Sequence, residues 1–256
     1  MGTVTDQSKR LSDVIERNRL LYSDPSIDAT IQGIISPSPQ SGLSEWDILR
    51  ILRHSQSVFF DTHIEVVSGQ HTATYLRFES IAQYPQLIRV IARGMGKWIA
   101  QLTKNHRIEG IVAPASEARL LAEGIAAYLE AEIPLRVVLV PFDHATGKIG
   151  TDVPSEAIRE GEHFLALNDV TARGNCVNKL GQIVTDRGGN LVGMMVCVRR
   201  DSGQFPFMDE LAAHYPFYFG AALDMPQWDP SDCPLCRAGE TLFSWKDMPF
   251  LLPDGC

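Results

Sequence analysis

Uninterrupted apolar runs recur along the chain at residues 108–113, 135–140, 164–167 and 191–198, and between them apolar positions return at helical spacing. A run that does not alternate suits a strand covered on both faces, whereas a three-to-four-residue repeat suits a helix with one buried stripe. Leu11, Val14, Ile15, Leu20 and Leu21 predict an amphipathic helix over residues 5–22. Ser44, followed by Glu45 and Asp47, predicts the start of a second, with Ile48, Leu49, Ile51 and Leu52 inward. Leu87, Val90, Ile91, Trp98, Ile99 and Leu102 predict a long helix. Leu120, Leu121, Ile125 and Leu129 predict another, and Val177, Leu180, Ile183 and Val184 one more. Strands alternating with helices predict an α/β chain around a parallel sheet. Between these elements, residues 35–42 (ISPSPQSG) read as a flexible connection, 63–78 as a β-hairpin around a glycine turn, and 141–161 as a long polar loop. Residues 212–219, rich in aromatics, are expected to close the sheet's edge.

The chain's 256 residues suffice for one large α/β domain with extensions. Hydrophobic residues make up 45% and charged residues 21%, and the formal charge of −8 argues against a general nucleic-acid-binding surface. No apolar run approaches the roughly 18 residues that span a bilayer, and the N-terminus has no apolar signal core, so the expectation is a cytoplasmic protein without membrane contact. Five cysteines with one close pair do not form a disulfide framework. No Walker A loop, G-x-G-x-x-G or H-E-x-x-H follows the predicted strands, which removes the main support for nucleotide hydrolases, Rossmann dehydrogenases and zincins.

The chemistry concentrates where apolar runs end. After residues 164–167 come Asn168 and Asp169, then a short turn through Thr171, Ala172, Arg173, Gly174, Asn175 and Cys176 into a helix. In open parallel sheets ligands bind at the carboxyl ends of strands, and the N–H groups opening a helix favour an anion, most often a phosphate. The run at 108–113 ends in Pro114, Ala115, Ser116, Glu117 and Ala118 before the next helix, and the run at 191–198 ends in Arg199 and Arg200. The polar loop carries His144 and Lys148, and the hairpin carries Ser68, Gly69, His71 and Thr72.

Four apolar residues, a polar-acidic pair, a Thr/Gly turn and a helix resemble the phosphoribosyl-pyrophosphate signature of type I phosphoribosyltransferases. Asn168, Arg173 and Cys176 depart from its commonest residues. The hairpin with Ser68-Gly69-x-His71-Thr72 resembles the opening of orotate phosphoribosyltransferases, though Val67 stands where that family often has lysine. The resemblance covers about residues 45–205. It implies a central parallel sheet flanked by helices, with a small hood from residues 55–80. It implies Mg²⁺-dependent transfer of a phosphoribosyl group from phosphoribosyl pyrophosphate to a nucleobase, orotate by likeness, for pyrimidine nucleotide synthesis.

On the same resemblance, Asp169 and Asn168 hold the ribose hydroxyls and the turn Thr171 to Cys176 holds the 5-phosphate. Ala115, Ser116, Glu117 and Ala118 face the pyrophosphate, His144 and Lys148 the leaving group, and Arg200 and Ser68 the base. The family's mobile loop works across a subunit boundary, so a homodimer is implied. The competing reading is a catalytically degenerate regulatory relative that binds phosphoribosyl pyrophosphate or a nucleotide without turnover.

Residues 1–42 then form an N-terminal helical arm and linker, 43–205 the transferase-like domain, and 206–256 a C-terminal extension. That extension contains Cys233-Pro-Leu-Cys236, whose spacing points two thiolates to one side, as in half of a tetrahedral Zn²⁺ site. Cys256, His214 or a second copy of the knuckle could complete it. Reduced thiols in a tight turn, redox chemistry, or an interaction module built on this tail are the other readings.

Overall fold

The four residues 164–167 are fully buried, and they divide their side chains between two cores. Phe164 and Ala166 pack with one core cluster, Leu165 and Leu167 with the other. A strand so covered must lie inside a sheet with helices on both sides. The computed structural model, which describes residues 4–201 and 206–251, places it there.

In chain order the elements are helices α1 (Val4–Ser23) and α2 (Ile27–Gly33), strand β1 (Ile35–Pro37) and helix α3 (Glu45–Ser55). Short strands β2 (Val58–Phe59), β3 (Ile64–Glu65), β4 (His71–Thr72) and β5 (Tyr75–Leu76) build a hood, followed by helices α4 (Phe78–Ala82) and α5 (Pro85–Leu102). Strand β6 (Gly110–Pro114), helix α6 (Ala118–Leu129), strand β7 (Arg136–Val140) and a small hairpin of β8 (Phe142–Asp143) and β9 (Lys148–Ile149) come next. Then follow β10 (His163–Thr171), α7 (Asn175–Asp186), β11 (Asn190–Asp201), α8 (Pro206–His214) and β12 (Phe217–Asp224). The chain closes with β13 (Gln227–Trp228), α9 (Pro234–Arg237) and β14 (Phe243–Ser244).

The six-stranded sheet has the order β1-β12-β11-β10-β6-β7, parallel except for β1. The progression β6 to β7 runs one way from the centre, and β10 to β11 to β12 runs the other. The order therefore reverses between β6 and β10, and a crevice opens at their carboxyl ends. Helices α5 and α6 cover one face, and α7 and α8 the other.

Local signals explain several boundaries. Ser44 caps α3, its side chain taking the Asp47 N–H while Asp47 takes the Ser44 N–H. Gly174 opens α7 at φ 79°, a left-handed conformation that costs glycine nothing.

Two expectations are corrected. Residues 35–42 are not simply a flexible connection, because residues 35–37 form β1, paired antiparallel with residues 221–223. Backbone pairing with an exposed edge overrides the Ser/Pro composition there. Residues 212–219 do not close the edge: the first three end α8, and the strand beginning at Phe217 lies one place inside it, covered by β1. Among the described residues no helix is long and apolar enough to cross a membrane.

Gly110 marks a close approach in the central sheet. A Cβ there would stand 2.7 Å from the Arg136 carbonyl oxygen and would overlap the Phe164 ring. Neither neighbour can withdraw, so Gly110→Ala is expected to cost about 1–3 kcal/mol. In urea melts the midpoint should fall with the slope unchanged.

Candidate active site

The crevice between β6 and β10 collects carboxylates. Asp169 is half-buried at the end of β10 and accepts the N–H of Val170 at 2.7 Å. Burial, and then the charges of Glu79 and Glu117, push its pKa up to about 7 against that hydrogen bond. Glu79, from α4 of the hood, is raised by its own burial and by Glu117. Three acids from the hood, the β6 loop and β10 thus face one space and repel one another, an arrangement that calls for a cation or for hydroxyl donors. Asn168, beside Asp169, is buried and turns its amide N–H to the Val170 carbonyl at 2.8 Å.

Beyond Asp169 the turn is organised by Thr171, whose Oγ1 accepts the Gly174 N–H at 3.1 Å. Gly174 also lies tight against α8, where a Cβ would come 2.8 Å from Leu211. The turn thereby presents the N-terminus of the 12-residue α7, whose first N–H groups have no partner within the helix. Arg173 leans from the turn to Asp229 at 3.6 Å. Cys176 is half-buried, and burial and the Asp169 charge hold its thiol above the ordinary range. Across the crevice Ala115 is exposed and Ser116 buried, with the Ser116 hydroxyl accepting the Ala118 N–H at 3.4 Å as α6 begins.

A cation lies at the end of the neighbouring strand, close to Tyr75, on which the charges of Glu79 and Asp169 also act. Arg200, at 7% exposure, donates to the Thr74 carbonyl of the hood at 3.3 Å, while its Nε has no hydrogen-bond partner. Burial lowers its pKa to about 10, so the guanidinium stays charged at neutral pH. Arg199 diverges, pairing with Asp209 of α8 at 2.7 Å. Ser202 and Gly203, which complete that strand-end motif in sequence, lie outside the described residues. Gln227 of β13, at 1% exposure, has both amide atoms without a hydrogen-bond partner beside Thr72, its β-ladder neighbour.

The polar loop is more ordered than its composition suggests. Residues 142–143 and 148–149 form the β8–β9 hairpin, and Asp143 takes the Ala145 N–H at 2.8 Å and the Thr146 hydroxyl at 2.6 Å. Its tip rests on the hood of the same chain: a Cβ on Gly147 would lie 2.8 Å from both Val67 methyls and 3.5 Å from Trp245. His144 is exposed, packs edge-on to Phe142 at 4.9 Å, and its charge bears on Glu79. Lys148 and Ser68 are exposed at the hairpin and hood tips.

Sequence reasoning did not find Glu79 or Thr74, because their nearness to Asp169 and Arg200 arises only when the hood folds over the sheet. Nor did it find the partners of Cys233 and Cys236. These are His63 and His71 of the hood, whose ring nitrogens lie within 4.8 Å of both sulfurs. His214 is elsewhere, bonding Glu210 of its own helix, and Cys256 lies outside the described residues. The groove between α3 and α5, lined by Arg50, Arg53, His54 and Val90, contains none of the strand-end residues.

No family model matches the chain. It is similar to the orotate phosphoribosyltransferase of Thermus thermophilus, 28% identical over 197 residues that make up 77% of this chain and 98% of that protein. To the orotate phosphoribosyltransferase of Thermotoga maritima it is 24% identical over 192 residues, 75% of this chain and 94% of the other. Among solved structures, Leishmania donovani UMP synthase superposes with a TM-score of 0.49 at 20% identity, over 68% of this chain and 35% of that one.

The raised pKa of Asp169 makes a stability prediction. Its folded value of about 7 exceeds the ordinary 3.8, so between those values the native state binds the proton more tightly than the unfolded chain, and stability falls as pH rises through the window. Asp169→Asn keeps the acceptor for Val170 and removes the charge. At pH 8 the variant should be more stable than the parent, on the order of 2 kcal/mol, with the gain vanishing towards pH 4 in paired urea titrations.

Proposed function

We propose that the chain is a type I phosphoribosyltransferase that transfers a phosphoribosyl group from phosphoribosyl pyrophosphate to orotate. In this reaction the N1 nitrogen of orotate bonds to the ribose C1 as the bond from C1 to the pyrophosphate oxygen breaks. The N1 proton passes to solvent. Positive charge grows on the ribose ring and negative charge on the leaving pyrophosphate, so catalysis requires groups that hold the two ends apart and stabilise both.

Asp169 takes the ribose hydroxyls, its carboxylate facing the crevice beside Asn168. The N-terminus of α7, from Thr171 to Cys176, takes the 5-phosphate on unpaired N–H groups. The loop Ala115 to Ala118 lies where the pyrophosphate would, and His144 and Lys148 approach the leaving group when the β8–β9 hairpin covers it. Mg²⁺ fits the acid cluster, because Asp169, Glu79 and Glu117 come from three elements, and burial together with the charges of Glu79 and Glu117 raises the proton affinity of Asp169. Mg²⁺ is commonly held by one or two carboxylates together with substrate phosphates. When bound it supplies positive charge to the leaving oxygens.

The observation that carries orotate as the base is Arg200. A buried guanidinium with Nε lacking a partner, aimed between sheet and hood, suits a planar carboxylate that can take two parallel N–H bonds. A second reading, a regulatory protein that binds phosphoribosyl pyrophosphate or a nucleotide without turnover, draws support from Glu117, which brings negative charge to the pyrophosphate side. A cytoplasmic setting accords with either reading.

Pyrophosphate release should be measured with orotate, uracil and adenine in turn, with and without Mg²⁺. Release with orotate alone supports the transferase reading, and binding of phosphoribosyl pyrophosphate without release under any base supports the regulatory one. Arg200→Gln should raise the KM for orotate by roughly ten- to a hundredfold, as loss of a charged hydrogen bond implies. The affinity for phosphoribosyl pyrophosphate, measured calorimetrically, should stay level. We further propose a homodimer, in keeping with the exposed Trp46 on α3 and Val90 on α5. Light scattering at micromolar concentration should give twice the 28.4 kDa chain mass, and a monomer would remove that assignment.

A further inference from the structure

We infer that His63, His71, Cys233 and Cys236 form a closed structural Zn²⁺ site that fastens the hood to the C-terminal extension. The distances are those of a metal's ligand shell. His63 Nε2 lies 3.1 Å from His71 Nδ1 and 3.5 Å from the sulfurs of both Cys233 and Cys236, and Cys236 Sγ lies 3.2 Å from His71 Nδ1. Tetrahedral zinc with bonds of about 2.0–2.1 Å to nitrogen and about 2.3 Å to sulfur separates its ligands by about 3.3 Å (N to N), about 3.5 Å (N to S) and about 3.8 Å (S to S).

Hydrogen bonding cannot account for the cluster. His63 Nδ1 lies 3.1 Å from the Glu240 carbonyl, which has no proton to give, so Nδ1 carries the hydrogen and Nε2 has one lone pair. Three heteroatoms converge on that single lone pair. A cation at their centre satisfies all four ligands at once, and the Glu240 carbonyl then acts as the outer partner that fixes a ligating imidazole's tautomer.

Chain geometry agrees. Cys233 precedes the single turn Pro234–Arg237, and Gly239 at φ 73° closes it, with its N–H on the Cys236 carbonyl at 3.0 Å. Both sulfurs are thereby presented to one side. Two thiolates and two neutral imidazoles give a tetrahedral S₂N₂ set typical of zinc, with no open position for catalysis. Binding would release two thiol protons and leave the site neutral.

The site also meets a structural need. The sheet β13-β4-β3-β14 joins hood and extension through two-residue strands only, too short to hold themselves together. His63 and His71 flank the β3–β4 turn, and the cysteines lie in the segment between β13 and β14. A metal there clamps both ladders from within.

The test is metal content of the purified full chain by mass spectrometry. One zinc per chain is expected, retained in Cys256→Ser and weakened more than tenfold in Cys236→Ser and in His71→Asn. Cys236 is exposed and tolerates change most readily. Independently of any variant, chelator-stripped protein titrated with Co²⁺ should develop tetrahedral ligand-field bands with thiolate charge transfer at one equivalent. Zinc should displace the Co²⁺ and restore the thermal midpoint. Folded protein that neither carries zinc nor gives the tetrahedral cobalt spectrum, a disulfide between Cys233 and Cys236, or zinc persisting undiminished in His71→Asn would each overturn the site.

Discussion

Charge that must sit at the end of a doubly covered strand governs this molecule. Helices on both faces of β10 leave its last polar residues one direction in which to turn, the crevice where the strand order reverses. Glu79 and Glu117 arrive at the same place, and the cluster is destabilising until a ligand compensates it. Such a site is costly to the empty protein. Arg200 repeats the logic with opposite sign one strand away, since its guanidinium is also buried ahead of any partner for Nε. Charges of both signs are thus already in place at the ends of neighbouring strands before any ligand arrives.

Much of this was legible in the chain. The run at 164–167 is apolar because both sides of that strand are covered. Ser44 and Asp47 announce a helix start through local hydrogen bonds that need no tertiary help. Arg200 and Asp169 could be picked out because they end apolar runs. What was not legible depends on contacts between distant segments. Ile35 and Ser36 read as linker, for their strand exists only because β12 offers an unpaired edge. Glu79 is an ordinary helix-surface acid until the hood folds over. His63 and His71 stand eight residues apart, outside the spacing of local metal motifs, and only the β3–β4 turn brings their rings to 5.0 Å between centroids.

The hood is held by parts of the chain far from it in sequence. Arg77, just before α4, stacks 3.9 Å from the Phe250 ring and donates to the Met248 carbonyl. Trp245 and Val67 together receive the tip of the β8–β9 hairpin at Gly147. The C-terminal extension therefore belongs to the roof of the crevice. The β8–β9 hairpin, the hood and the extension meet at Gly147, where a side chain would face both steric overlap and a positive φ.

The antiparallel strand at the sheet's margin has a consequence of its own. An uncovered β12 would present a row of free N–H and C=O groups, a template on which a second chain could grow. β1 covers that row with three residues, and its last, Pro37, carries no N–H. At the far margin β7 opens with Arg136, ion-paired to Glu162, so a charged residue guards that side. β1 is thus what keeps the β12 edge from being open for pairing. The segment before it has a different hold on the molecule, since Tyr22, Ile27 and Ile31 are core residues and Asn18 and Tyr22 bond the hood at Phe60 and Val58, so losing residues 1–37 would uncover the sheet's edge and loosen the crevice's roof together.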